Sequence, residues 1–184
     1  MHYFKLYKPY GFLCQFTGEE HDQLLGDLYD FPKTVYSIGR LDKDSEGLLL
    51  LTDDNRFKAQ ILEPDNKTGK TYWVQVEGEI TDEAIKRLSD GSLVLNHKGK
   101  SYTARKGFCE RISPPNIPDR NPPIRYRATV PTSWIALTIF EGKNRQVRKM
   151  TAAVGFPTLR LIRYSIGPYT LEGMTIGDVT VFKP

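Results

Sequence analysis

Tyr72, Val74 and Val76 interleave with polar neighbours along Lys70–Glu77, and this period of two predicts a half-buried strand. Ile135 to Phe140 returns to the same alternation. Leu48 to Leu51 is apolar at every position, which suits a strand buried on both faces, although a buried helical turn gives the same run. Shorter stretches at Phe4–Tyr7, Val35–Ile38, Thr158–Ile162 and Asp178–Phe182 predict further strands. The first of them closes at Lys8-Pro9-Tyr10-Gly11, a turn-forming Pro/Gly pair. A helix carrying Phe57 and Ile61 begins after Thr52 or Asp53 as its cap and stops at Pro64. Thr81 caps a second helix through Leu88, with Gly91 just past its end. Asn144 caps a third, Arg145 to Val154, which ends at Gly155. Strands and helices mix without a regular βαβ rhythm, so the pattern predicts an α+β fold.

The stretch from Ser113 to Pro131 breaks these periods. It holds six of the twelve prolines, interleaved with Arg111, Arg120, Arg125 and Arg127 nearby. Proline cannot donate to a strand ladder, so an exposed extended loop is expected there.

Charge changes the picture more than composition does. From His97 to Arg163 fourteen Lys/Arg face three Asp/Glu, a local +11, whereas the rest of the chain carries −7. A block of this size points to a polyanionic partner, nucleic acid first. No apolar run approaches the roughly 20 residues a bilayer crossing needs, and the N-terminus lacks an uninterrupted apolar signal region. Cys14 and Cys109 are too few for a disulfide framework or a Cys-rich zinc site, so reduced thiols in the cytoplasm are expected. At 184 residues the chain fits one domain or two small subdomains.

Candidate chemistry centres on Gly39-Arg40-Leu41-Asp42-Lys43-Asp44-Ser45-Glu46-Gly47, a turn between two expected strands. Asp42, Asp44, Glu46 and Asp53 fall at positions one, three, five and twelve of a calcium loop, with Gly47 at six. Leucines occupy positions seven to ten, however, and position twelve is Asp rather than the bidentate Glu. A magnesium hydrolase built on Asp42 and Asp44 lacks any Gly-rich phosphate loop, and His2, His21 and His97 are scattered. The residue types therefore imply no metal site. By itself, Asp42 reads equally well as a carboxylate capping its own turn.

Four ordered segments carry a resemblance. They are Lys8-Pro9-Tyr10-Gly11; Gly39-Arg40-Leu41-Asp42-x-x-Ser45-x-Gly47 with its leucines and Thr52; Lys70-Thr71-Tyr72-x-Val74; and Glu141 to Met150, followed by Ala152 to Gly155 and by Leu159 to Arg163. Together the set resembles the pseudouridine synthases, in particular the branch that modifies ribosomal RNA. Arg120 to Arg125 and Pro131 to Trp134 are most similar to its subgroup of large-subunit enzymes E.

The resemblance implies a mainly antiparallel mixed sheet in two lobes with a central RNA-binding cleft, as one catalytic domain over residues 1–184 without an N-terminal S4-like module. It implies isomerisation of a uridine in ribosomal RNA, with large-subunit RNA as partner, no cofactor, no metal, no membrane and a monomeric enzyme. Asp42 is then the nucleophile, attacking either sugar or base; Arg148 is the cation that keeps it ionised against desolvation. Tyr72 packs on the uracil and is a candidate for removing its C5 proton, and Leu161 lies against the base. Arg40 fills the vacated stack or holds the flanking phosphate. Lys70, Lys143, Arg145 and Lys149 complete the substrate-binding set, with Arg120, Arg125 and Arg127 adding a sequence-independent grip. The competing expectation is a catalytically silent RNA-binding or ribosome-assembly protein that keeps the fold.

Overall fold

The computed structural model describes residues 1–66 and 68–184. Its fold is α+β, with mainly antiparallel strands and three α-helices of eight residues each among the described residues. The chain divides into two compact units, Met1–Thr68 with Ile162–Pro184, and Gly69–Leu161.

In the first unit, β1 (Tyr3–Lys8) lies antiparallel to both β3 (Glu46–Thr52) and β11 (Val179–Val181). The short β2 (Tyr36–Ser37) pairs with β3, and the Ile38 amide beyond it donates to the Leu50 carbonyl, so the expected Val35–Ile38 strand is shorter than read. On its other edge β3 runs parallel to β9 (Thr158–Ile166), with Gly47 opposite Arg163. All seven residues of β3 are buried. Leu49 and Leu51 pack with Phe4, Leu6, Leu25 and Val35, and four leucines at about 2 kcal/mol of burial each make this strand the unit's keel. The two-residue β10 (Tyr169–Thr170) completes the set.

Helix α1 (Asn55–Leu62) is capped by Asp54, whose Oδ1 accepts from the amides of Arg56 (2.9 Å) and Phe57 (3.2 Å). The two candidates read from sequence are occupied elsewhere. Thr52 is the last residue of β3 and donates its hydroxyl to the His2 carbonyl at 2.7 Å. Asp53 accepts from the His2 amide and meets the His2 ring, each at 2.7 Å, and also accepts from the Thr34 hydroxyl. Those hydrogen bonds from His2 hold the Asp53 carboxyl far below the usual carboxylate range.

In the second unit, β4 (Lys70–Glu77) pairs along its whole length with β8 (Thr132–Ile139), which also pairs with β7 (Phe108–Ile112). The strand order there is β9-β4-β8-β7. Val74, Val76, Ile135 and Leu137 form a core with Ile80 and Leu88 from α2 (Asp82–Ser89) and its entry, and with Met150 from α3 (Gln146–Ala153). Thr81 caps α2 as expected, accepting from the Ala84 amide. A hairpin of β5 (Val94–His97) and β6 (Lys100–Thr103) was not legible in the sequence, nor was β7.

Asn144 does not cap α3. The helix begins at Gln146 after Arg145, which adopts a left-handed conformation (φ 53°). The buried Gln146 amide organises this start instead, accepting from the Lys143 amide and donating to Glu141 at 2.8 Å. Ser113 to Pro131 is irregular, as expected. Arg120 turns inward on it, donating to the carbonyls of Pro122 and Pro123 and to that of Leu159 in β9, and Arg160 of β9 donates to the Pro118 carbonyl. A groove of about 460 Å³ lies beside it, lined by Gln75, Arg111, Trp134 and Arg160 among others, and contains none of the candidate site residues. No described helix is long and apolar enough to cross a membrane.

Candidate active site

Asp42 sits where two turns are tied together. Its carbonyl accepts from the Ser45 amide (3.0 Å), and the carbonyl of Lys43 accepts from the amide of Gly11 (2.8 Å) in the Lys8–Gly11 turn. Leu41 on one side and Ser45, Glu46 and Gly47 on the other are buried, while Asp42 is half-buried and Arg40 exposed. The side chain is thus carried on a fixed backbone yet open to a reactant.

Three charged residues are interred around this turn. Lys8, Glu46 and Arg163 are 0%, 2% and 4% exposed. The Lys8 amine donates to the Pro9 carbonyl at 2.9 Å. Arg163 donates through Nε to the Leu48 carbonyl, and its Nη2 is buried without a hydrogen-bond partner among the described residues. Burial pulls the Lys8 amine down to about 8, against the opposing pull of Cys14, Glu46, Asp44 and Asp42. Sequence reading placed Lys8 in a motif but gave it no role; its signal was a lysine at the end of a strand whose alternation points it inward.

A titration follows from this burial. The unfolded chain keeps the Lys8 proton up to about 10.5 and the folded chain only to about 8. Below the lower value the buried ammonium costs about 3 kcal/mol, and stability from this group rises between the two as the charge is shed. Thermal melts of wild type and Lys8→Met should therefore diverge with pH, the wild type gaining relative to the variant on going from neutral to mildly alkaline buffer. Parallel shifts would mean that Lys8 is not held as a buried charge.

The remaining candidates lie in the second unit. Tyr72, 8% exposed, and Leu161, 6% exposed, belong to one apolar cluster with Val147 and Met150 of α3. A Cβ built on Gly142 would lie 3.1 Å from the Lys70 amine, so Lys70 reaches the loop that precedes α3. Arg148 and Lys149 are half-buried on α3, and Lys143 and Arg145 are exposed. Two of the arginines expected to contact phosphate also have partners within the chain. Arg120 braces its own loop, and Arg127 forms an ion pair with Glu77 at 3.3 Å. Proline-rich backbone leaves carbonyls without ladder partners, and a neighbouring guanidinium satisfies them.

Among the described residues no group of three or more His, Cys, Asp or Glu could hold a metal ion. In the calcium-loop spacing, Asp53 is withdrawn by His2 and Thr34.

The sequence pattern of the family described as RNA pseudouridylate synthase matches residues 2–153. The chain is 48% identical over 171 residues to the ribosomal large subunit pseudouridine synthase E of Vibrio vulnificus, covering 93% of this chain and 70% of that one. It is 44% identical over 175 residues to the enzyme of the same name from Xanthomonas campestris pv. campestris, covering 94% and 91%. A crystal structure of a pseudouridylate synthase superposes with a TM-score of 0.77 at 28% identity, over 99% of this chain and 70% of the other. A half-buried aspartate on a doubly tied turn, in the family's own sequence frame and fold, leaves one assignment: the chain belongs to the RNA pseudouridylate synthase family.

Proposed function

We propose that this enzyme converts one uridine of large-subunit ribosomal RNA to pseudouridine, with Asp42 as nucleophile and without metal or cofactor. The reaction is an isomerisation. The bond from C1′ to N1 breaks, the uracil turns, C1′ bonds to C5, the C5 proton leaves and N1 gains a proton, so atoms and electrons balance within the nucleotide. A carboxylate is the group such a step requires, because it can form and then release a bond to either sugar or base. Tyr72 packs on the uracil and takes part in removing the C5 proton, and Leu161 supports the base. Arg148 offsets negative charge, Arg40 fills the vacated stack, and Lys70, Lys143, Arg145 and Lys149 hold phosphate. Unstacking the target costs a few kcal/mol, which these contacts offset.

The observation that carries this reading is the Asp42 turn, a carboxylate half-open to solvent on a backbone pinned by Gly11 and Ser45. Identity of 44–48% to relatives named for the large subunit supports the choice of RNA. The test is a map of pseudouridines, by carbodiimide modification and primer extension, in ribosomal RNA from cells lacking the protein. One large-subunit site should disappear and return with the wild-type gene only. If every site persists, or Asp42→Asn restores the missing one, the assignment is wrong; the second result would favour a silent RNA-binding role.

A further inference from the structure

The β5–β6 hairpin belongs to none of the four sequence segments, yet it concentrates charge. It turns through Lys98 and Gly99, both at positive φ (51° and 76°), as a two-residue hairpin turn requires. Leu95 and Tyr102 are in register across it, and Leu95 enters the core of the second unit while Tyr102 packs against that core. By strand alternation His97 lies on the same side as Leu95, and Lys100 stands opposite it in register. Anchored by these two residues, the tip presents Lys98 and Lys100 to solvent, both exposed.

The loop before α3 and α3 itself add cations from the other side. The Lys143 ammonium stands over the Tyr102 ring, 4.9 Å from its centre, an arrangement that holds the lysine in place. Lys149, Lys98 and Lys143 all act on the His97 ring, which burial and these three charges shift below its ordinary range. Three ammonium groups thus act on one imidazole, one of them also standing over the Tyr102 ring, and Lys100 lies across the strand pair from that imidazole. Among the described residues none of Lys98, Lys100, Lys143 and Lys149 forms an ion pair with a carboxylate. The carboxylate that acts on Tyr102, Glu141, is already used by the Arg105 amide and Gln146.

Exposed lysines on a hairpin ordinarily point apart into water. Here the hairpin's Lys98 and the neighbouring Lys143, stacked on an aromatic ring, and Lys149, half-buried on α3, act on the same imidazole. Such convergence is unfavourable in the free protein and is relieved by a polyanion.

We propose that the β5–β6 hairpin, through Lys98 and Lys100 together with Lys143 and Lys149, grips the ribose-phosphate backbone of the RNA. The proposal rests on the RNA-modifying reading above and extends its phosphate contacts to a hairpin that reading left out. Contacts of this kind set affinity and register on the RNA without reading base identity.

The test is the double variant Lys98→Gln/Lys100→Gln in the full chain. Both positions are exposed and outside the core, so the melting temperature should stay at the wild-type value. Binding is measured with a short fluorescein-labelled oligouridylate across a salt series. The slope of log affinity against log salt should fall by about 1.4, which is two phosphate contacts on a single strand. Turnover is measured by tritium release from ribosomal RNA carrying 5-tritiated uridine, and KM should rise more than kcat falls. Salt slope and KM both equal to wild type would overturn the proposal. Absence of tritium release by the wild type would instead overturn the synthase reading, and the oligouridylate slope would still decide the hairpin.

Discussion

Asp42→Asn is expected to lower turnover on ribosomal RNA by at least about a thousandfold while leaving RNA affinity within about tenfold, or 1.4 kcal/mol. The substitution changes charge and nucleophilicity but almost no volume. The turn that carries it is held by main-chain hydrogen bonds of Gly11 and Ser45, which asparagine leaves in place. Its fold and its phosphate contacts should therefore survive. An amide can neither attack the nucleotide nor leave again at a useful rate, so the chemical step alone is removed. Tritium release and fluorescence anisotropy on the same preparation separate the two quantities. Substantial turnover by this variant would take the nucleophile role away from Asp42. Asp44→Ala is the matched control and should retain much of the activity; its complete inactivation would revive a paired-carboxylate mechanism.

Gly47→Ala should be the most damaging small substitution for stability. Gly47 lies at φ 115°, a conformation that side chains rarely adopt. A Cβ there would lie 2.3 Å from the Arg163 carbonyl oxygen, 2.5 Å from its amide nitrogen and 2.9 Å from its carbonyl carbon. All three are backbone atoms, so no rotamer change relieves the overlap. The residue is also fixed on both sides, opposite Lys8 in β1 and Arg163 in β9. Either the parallel pairing with β9 opens or the whole of β3 shifts. Strain and overlap together should cost about 3 to 6 kcal/mol, which lowers the melting temperature by about 10 °C or more. Gly26→Ala serves as comparison, because a Cβ there meets nothing within 4 Å and φ is not positive; it should stay within about 0.5 kcal/mol. Equal melting temperatures for the two variants would show that β3 and β9 are not packed this closely.

Where a segment's partner is implied by its own pattern, the sequence was enough. The alternation of Lys70–Glu77 returned as β4 with both ends as read, and Leu48–Leu51 became the doubly buried β3. Thr81 capped its helix, accepting from the Ala84 amide three residues on. Capping failed where another residue, distant or nearby in the chain, took the position. Asp53 was taken by His2, 51 residues away, leaving Asp54 to cap α1. At α3 a buried glutamine took the role expected of Asn144. The hairpin and β7 were missed because exposed apolar residues, Val94 and Phe108, break the alternation of polar and apolar positions.

The same division holds for the site. Asp42 and its turn are consecutive residues and the resembling segments follow in order, so they were legible in one dimension, and so were the basic block and the proline-rich loop. What tertiary structure alone decided is which charges are buried and which are braced within the chain. Lys8 becomes an interred ammonium because β1 pairs it with Gly47, about forty residues on. Arg120 and Arg127, expected to grip RNA, also hold nearby carbonyls and Glu77. Local preferences act between neighbours along the chain and can be read there. Desolvation and charge pairing depend on whatever folding brings within a few ångströms, and no linear pattern records that distance.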